Sequence, residues 1–358
     1  MQIFIKCVAS LGILLTTQQA IAAPTTDQVK SVMRQTIEDV VRPAYQDFGA
    51  QTELLENQVS QLCTSPNNAA LSTVQNQFTT TAHSWASIEL FRSGPVMDKN
   101  RLERVLFYPD RKSTGLKQVQ RLVAKGDLTT VAPDIIDQKS VAVQGLGALE
   151  FLLFGTGHSE LSTKVNSFRC QFAASVTNNL HSIATELQTK WNSEYSEQWI
   201  NTGQKNSVFI NDQEAVIELL GTVVHGLEAI KDIRLKAFLR EEQQRDRPKS
   251  ALFWRSENTL SMMKANLEFI HSLLRDGGLY SLVSKNSRIA DQIEFELKQN
   301  KKAINAIEGP LLEALKDPAL RKKLVYFGTS LTFAIDRIDQ QFAQELGLSS
   351  GFSFSDGD

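Results

Sequence analysis

Apolar residues spaced three and four apart run through almost every long segment of this chain, and that pattern decides its class. Val29, Val32, Met33, Ile37, Val40, Val41, Ala44 and Phe48 fall on one helix face, because 3.6 residues complete a turn. Leu55, Val59, Leu62 and Cys63 carry the pattern to a stop at Ser65-Pro66-Asn67. Pro43 sits inside it and predicts a kink or a division there. A second helix is predicted over 69–92, ended by Ser93-Gly94-Pro95. Others are predicted over 114–125, 138–154, 162–195, 212–245, 256–275, 284–300, 301–316 and 318–346. No stretch alternates apolar and polar residues as a half-buried strand would.

The expected class is therefore all-α. Long amphipathic helices on short links form antiparallel bundles, and more than 300 residues exceed one bundle core. Two packed bundles are expected, over about 25–203 and 204–346, dividing in the polar stretch 201–206. The short match between GALEFLLFG and HGLEAIKDI hints at an internal duplication.

The ends read differently. In residues 1–22 the one charge is Lys6, an apolar run follows (Val8 to Leu15), and Ala20-Ile21-Ala22 has the small-residue spacing of a cleavage site. This predicts a signal peptide and a periplasmic protein; the run is short for a retained anchor, and no other segment is apolar enough to span a membrane. The tail 347–358, ending SSGFSFSDGD, is expected to be disordered. Without residues 1–22 the chain holds 37 Lys+Arg against 40 Asp+Glu, a balance that argues against a nucleic-acid partner. Two cysteines remain, Cys63 and Cys170. An even pair in an oxidising compartment predicts a disulfide, with two buried thiols as the alternative.

Candidate chemistry starts from VAVQGLGALEFLLFG (141–155), where Glu150 is the one ionisable group. A carboxylate among such neighbours needs a basic or hydrogen-bonding partner, or its pKa rises by desolvation. It is either a structural ion pair or the polar centre of a pocket between bundles. Arg101, Arg104, Arg111 and Lys112 cluster with Glu103 and Asp110 in the irregular stretch 93–113, where binding groups tend to be displayed. Trp85, Glu89 and Arg92 are spaced to share a helix face, the alternative being plain helix packing with a surface ion pair. His225 and Glu228, with Asp232 a turn further on, have the i, i+3 spacing of a metal-binding pair, a pattern that also arises by accident. No H-E-x-x-H, G-x-S-x-G or P-loop is present.

GLGALEFLLFG resembles the signature helix of imelysin-like proteins, the family classed as peptidase M75, whose motif is G-x-H-x-x-E. Gly145 and Glu150 match the motif's glycine and glutamate, and Gly147 stands where it has histidine. WASIELFRSGP (85–95), NRLERVLFYPDRK (100–112), KSVAVQGLGALEFLLFG (139–155) and FWRSENTLSMMKANLE (253–268) resemble the branch described as predicted periplasmic proteins.

The resemblance implies an exported protein of two helical bundles with a site at their junction, among relatives linked to iron regulation or uptake, some carrying a peptidase label. With glycine at 147, it favours binding over catalysis. The expectation is a non-catalytic binding or accessory protein serving iron, another divalent metal or a metal-linked small ligand, with envelope iron-uptake proteins as candidate partners. Its expected pocket draws on Glu150, Gly145, Gly147, Arg101, Arg104, Asp110, Arg111, Trp85 and Glu89. The rivals are a metal-dependent hydrolase using His225, Glu228 and Glu150, and a structural envelope protein.

Overall fold

The computed structural model describes residues 23–205 and 207–348; the expected signal peptide and most of the expected tail lie outside them. Every regular element among the described residues is helical. Helix α1 (Thr26–Gln35) starts at a reciprocal cap, in which Thr25 accepts from the Gln28 N–H and Gln28 accepts from the Thr25 N–H. The chain then widens into a π-helical stretch, Thr36–Val41, and continues as α2 (Arg42–Thr64). Pro43 is the second residue of α2 and does not end the helix. Its ring would press on the carbonyl four residues back, and the wide turn lies at that place.

Helix α3 (Asn68–Ala86) follows a three-residue link, with Asn67 accepting from the Ala70 N–H at its start. Then come α4 (Arg101–Val105), α5 (Thr114–Lys125), α6 (Leu146–Phe154), α7 (Phe168–Trp191), α8 (Glu194–Ile200) and α9 (Asp212–Glu228). A π-helical stretch, Ala229–Leu235, leads from α9 into α10 (Lys236–Phe238). The rest is α11 (Thr259–Arg275), α12 (Ile289–Asn305), α13 (Leu311–Lys316), α14 (Pro318–Asp336), a third π-helical stretch (Arg337–Phe342) and α15 (Ala343–Glu345).

Several predicted boundaries move. The helix expected over 69–92 stops at Ala86, so Glu89 and Arg92 no longer continue the Trp85 face. The helix expected over 138–154 begins at Leu146, after a 3₁₀ turn (Val141–Val143) and an extended Gly145. The two helices expected over 284–300 and 301–316 are divided instead after Asn305; Asn300, where the break was expected, is buried inside α12, its side chain donating to the Glu296 carbonyl.

Helices α2, α3, α6 and α7 pack on one another, as do α9, α11, α12 and α14, and α3 meets α11 between the groups. Helix α1 bridges them, lying against α8 and α9, and Thr26 donates to Asp212 at 2.6 Å. Apart from Glu150, helix α6 is apolar from Ala148 onward and buried from Ala148 to Leu153, as a helix packed on most sides must be. A disulfide, Cys63–Cys170, pins the end of α2 to the start of α7 across 107 positions. No helix among the described residues is long and apolar enough to cross a membrane.

Candidate functional site

Gly145 and Gly147 do different work. A Cβ on Gly145 would lie 2.3 Å from the Val105 carbonyl oxygen and 2.4 Å from that of Arg104, so the close approach of α4 to the start of α6 requires glycine. A Cβ on Gly147 would meet nothing within 4 Å. Close backbone approach therefore accounts for the first glycine alone; Gly147 faces open space.

That space is a cavity of about 590 Å³, the size of a small-molecule site. One wall is residues 106–119 with the start of α6, including Gly145, Gly147 and Glu150; the other is residues 232–255, from the second π-helical stretch to the turn before α11. The cavity thus lies between the two helix groups.

Glu150 joins the walls. The turn at 253–257, which has Phe253 and Glu257 at positive φ, presents two successive N–H groups to its carboxylate. Oε1 accepts from the Arg255 N–H at 3.0 Å, the Ser256 N–H at 3.1 Å and the Ser256 hydroxyl at 3.1 Å. Oε2 faces the Arg255 guanidinium at 3.7 Å. Arg255 also stacks on Trp254, 4.5 Å from the ring centre. Burial outweighs these donors and holds the Glu150 carboxyl above its ordinary pKa of 4.5. The acid that looked isolated in sequence is a clamp between α6 and the turn leading into α11.

Of the other predicted residues, Asp110 and Arg111 line the cavity. Asp110 is spent on capping α5, accepting from the N–H groups of Thr114 (2.7 Å) and Leu116 (3.1 Å). Arg101, Arg104, Trp85 and Glu89 do not line it. Arg101 is buried and donates to Glu186 at 2.7 Å and to the Pro95 carbonyl. Arg104 donates to Gln144 and Asn179, and Trp85 is packed in the core beside Phe48. Glu89 is buried, accepting from Arg234 at 2.7 and 2.8 Å and from Asn266 at 2.9 Å. It stands one layer behind the wall, since Arg234 lies 4.6 Å over the ring of Tyr108, a lining residue.

His225 and Glu228 pair with each other at 3.0 Å on the outer face of α9 and do not reach the cavity, although Asp232 does. Among the described residues no group of three or more His, Cys, Asp and Glu is placed to hold a metal ion. At the motif itself, Gly147 supplies no donor atom and one oxygen of Glu150 is already taken by three donors. These residues do not fit a resident metal.

Sequence reasoning missed the second wall. Lys236, Arg240, Arg247, Lys249, Trp254 and Arg255 all line the cavity. Most of them fall at the end of the helix predicted over 212–245 or in the polar stretch just after it; FWRSENTLSMMKANLE alone gave a signal there.

The model of the imelysin family, peptidase M75, matches residues 41–337. The chain belongs to that family. Its fold is similar to that of an imelysin-like protein from Psychrobacter arcticum, with a TM-score of 0.78 at 18% identity, covering 92% of this chain and 100% of that one. It is also similar to a protein described as an iron-regulated protein A precursor from Parabacteroides distasonis, with a TM-score of 0.70 at 17% identity, covering 88% and 95%. At such identities the likeness speaks for the imelysin fold alone. A comparison with curated proteins found no match.

Proposed function

We propose that this imelysin-family protein is an exported, periplasmic, non-catalytic binding or accessory protein, and that the cavity around Glu150 holds its ligand. The observation that carries the reading is Gly147. The position offers open space beside the cavity where a ligating side chain would stand, while Glu150 is occupied in joining the two walls. A site so built has room and charge for a ligand and lacks a nucleophile–base pair. The division into a first bundle to about 203 and a second to about 346 belongs to the same reading, with the ligand between them. The iron link rests on the family and on the description of the Parabacteroides distasonis protein, and it enters as cargo or ligand chemistry, not as a resident metal.

The test is purification from the periplasm, elemental analysis, and a thermal-shift screen of metals and small molecules on wild type and Gly147→Trp, which would push a bulky ring into the cavity. Binding lost in Gly147→Trp supports the reading. Chelator-sensitive peptide cleavage abolished by His225→Ala would replace it with a hydrolase, and a protein that binds nothing in either form would leave a structural role.

A further inference from the structure

The lining of the cavity is unbalanced in charge, although the chain as a whole is slightly acidic. Six cationic side chains line it, Arg111, Lys236, Arg240, Arg247, Lys249 and Arg255, against three acidic ones, Asp110, Glu150 and Asp232. All three acids are committed. Asp110 caps α5, Glu150 holds the 253–257 turn and Arg255, and Asp232 is paired with Lys231 and Lys236. That leaves Arg111, Arg240, Arg247 and Lys249 with no carboxylate within ion-pairing distance among the described residues. The Arg240 guanidinium donates to the carbonyl of Ala237 and to no carboxylate among the described residues, the Asp246 carboxylate being met by the Arg240 backbone N–H and by Arg321, and Lys249 lies over the Trp254 ring.

Four uncompensated cations around one concave space repel each other and attract an anion, more strongly than the same charges spread over a convex surface would. Three of the four stand on the wall at 232–255 and the fourth, Arg111, on the wall at 106–119, so a bound anion would be met from both helix groups. A monovalent anion would leave most of that charge uncompensated.

The geometry points to a small multivalent oxyanion, carrying two or more carboxylate or phosphate groups, as the class of ligand this cavity takes; the assignment rests on the proposal that the cavity is the binding site. Guanidinium groups offer paired N–H donors that match either oxyanion, so the shared chemistry is what the site reads.

Calorimetric titration of the full mature chain at low ionic strength tests this, with citrate and pyrophosphate as the two sources of multivalent charge, acetate as the monovalent control, and spermidine and glucose as the cationic and neutral ones. Citrate, pyrophosphate or both should bind at least tenfold more tightly than acetate. Arg247→Gln and Lys249→Gln should each weaken that binding about tenfold, and Lys322→Gln, an exposed cation on α14 outside the cavity, should leave it unchanged. Raising NaCl from about 20 to about 200 mM should weaken it further, as screening demands. Equal binding in wild type and the two cavity variants overturns the assignment, as does indifference to anion valence. If spermidine or glucose binds instead, and binding is lost in Gly147→Trp, the cavity stands as a site and the anion class falls. If no compound of any charge binds, both fall together.

Discussion

Replacing Glu150 by leucine should destabilise the protein, although it exchanges a buried acid for an apolar side chain of similar length in an apolar helix. The reason lies in the donors aimed at it. The N–H groups of Arg255 and Ser256 end on Oε1 at 3.0 and 3.1 Å, and Glu150→Leu strands both. The Ser256 hydroxyl is spared, since it also reaches the Phe253 carbonyl. Two stranded donors cost about 1–3 kcal/mol each, offset in part because a charge is no longer buried, which puts Glu150→Leu near ~2–4 kcal/mol. Glu150→Gln keeps an oxygen where Oε1 stands and should cost less than about 1 kcal/mol. Denaturant unfolding with the disulfide intact, compared at constant m-value, measures both. The pH dependence adds a sign. Burial raises the Glu150 pKa above 4.5, so the folded state holds that proton more tightly than the unfolded one. The stability this gives is fully present below the ordinary value and is lost as pH rises through the raised one. Wild type should therefore gain on Glu150→Gln as the pH falls through that window. A leucine variant as stable as wild type, or a glutamine variant as costly as leucine, would refute the clamp.

The remaining expectations concern the surroundings of that clamp. Gly145→Ala forces a Cβ against two backbone carbonyl oxygens that cannot swing away and should cost about 1–3 kcal/mol or more, whereas Gly147→Ala meets open space and should stabilise α6 by about 0.5–1 kcal/mol; denaturant midpoints compare the two. Arg234→Met leaves Glu89 buried without its cation and should cost about 3–5 kcal/mol, most of it recovered in the double variant with Glu89→Gln. Cys63→Ala with Cys170→Ala opens a loop of 107 positions and should lose about 4–5 kcal/mol by chain entropy, read as a lower denaturant midpoint.

The class of the fold was legible because periodicity is a local property that burial preserves. Val29 through Phe48 lie on a helical face in sequence and are buried in the structure with little exception. What could not be read depends on contacts between distant segments. At the start of α6 the Val105 carbonyl stands where only a glycine at 145 leaves room for it, and the sequence around 138–145 contains no sign of that neighbour. The spacing of Trp85 and Glu89 suggested a shared helix face, yet α3 ends first and Glu89 turns inward to a partner 145 positions away. At the site, the importance of Glu150 was visible from its isolation, but its partners were not. Backbone N–H groups carry no residue identity, so nothing in the letters Arg255 and Ser256 announces that their amides, more than their side chains, hold the carboxylate. The cations at 240–249 carried no signal for the opposite reason: a charge run looks the same whether it faces solvent or a cavity.

These two features explain each other. A cavity whose walls belong to different helix groups needs something to fix their separation, and the Glu150 bonds do so at one edge, through a hydrogen-bond set of defined geometry. A ligand gripped by Arg111 on one wall and by Arg247 or Lys249 on the other would fix it again from inside. Such a ligand binds the folded protein alone, because the unfolded chain has no cavity, so it must stabilise the junction by RT ln(1 + [L]/Kd), about 2.7 kcal/mol at a hundredfold excess over Kd. The same gain should appear in Glu150→Gln, which keeps the walls in place. It should be smaller in Glu150→Leu, where part of the binding energy goes into restoring the gap that the clamp holds in wild type. A ligand that rescues Glu150→Leu as fully as it stabilises wild type would mean that the clamp and the cavity are independent, and that the carboxylate serves the fold without serving the site.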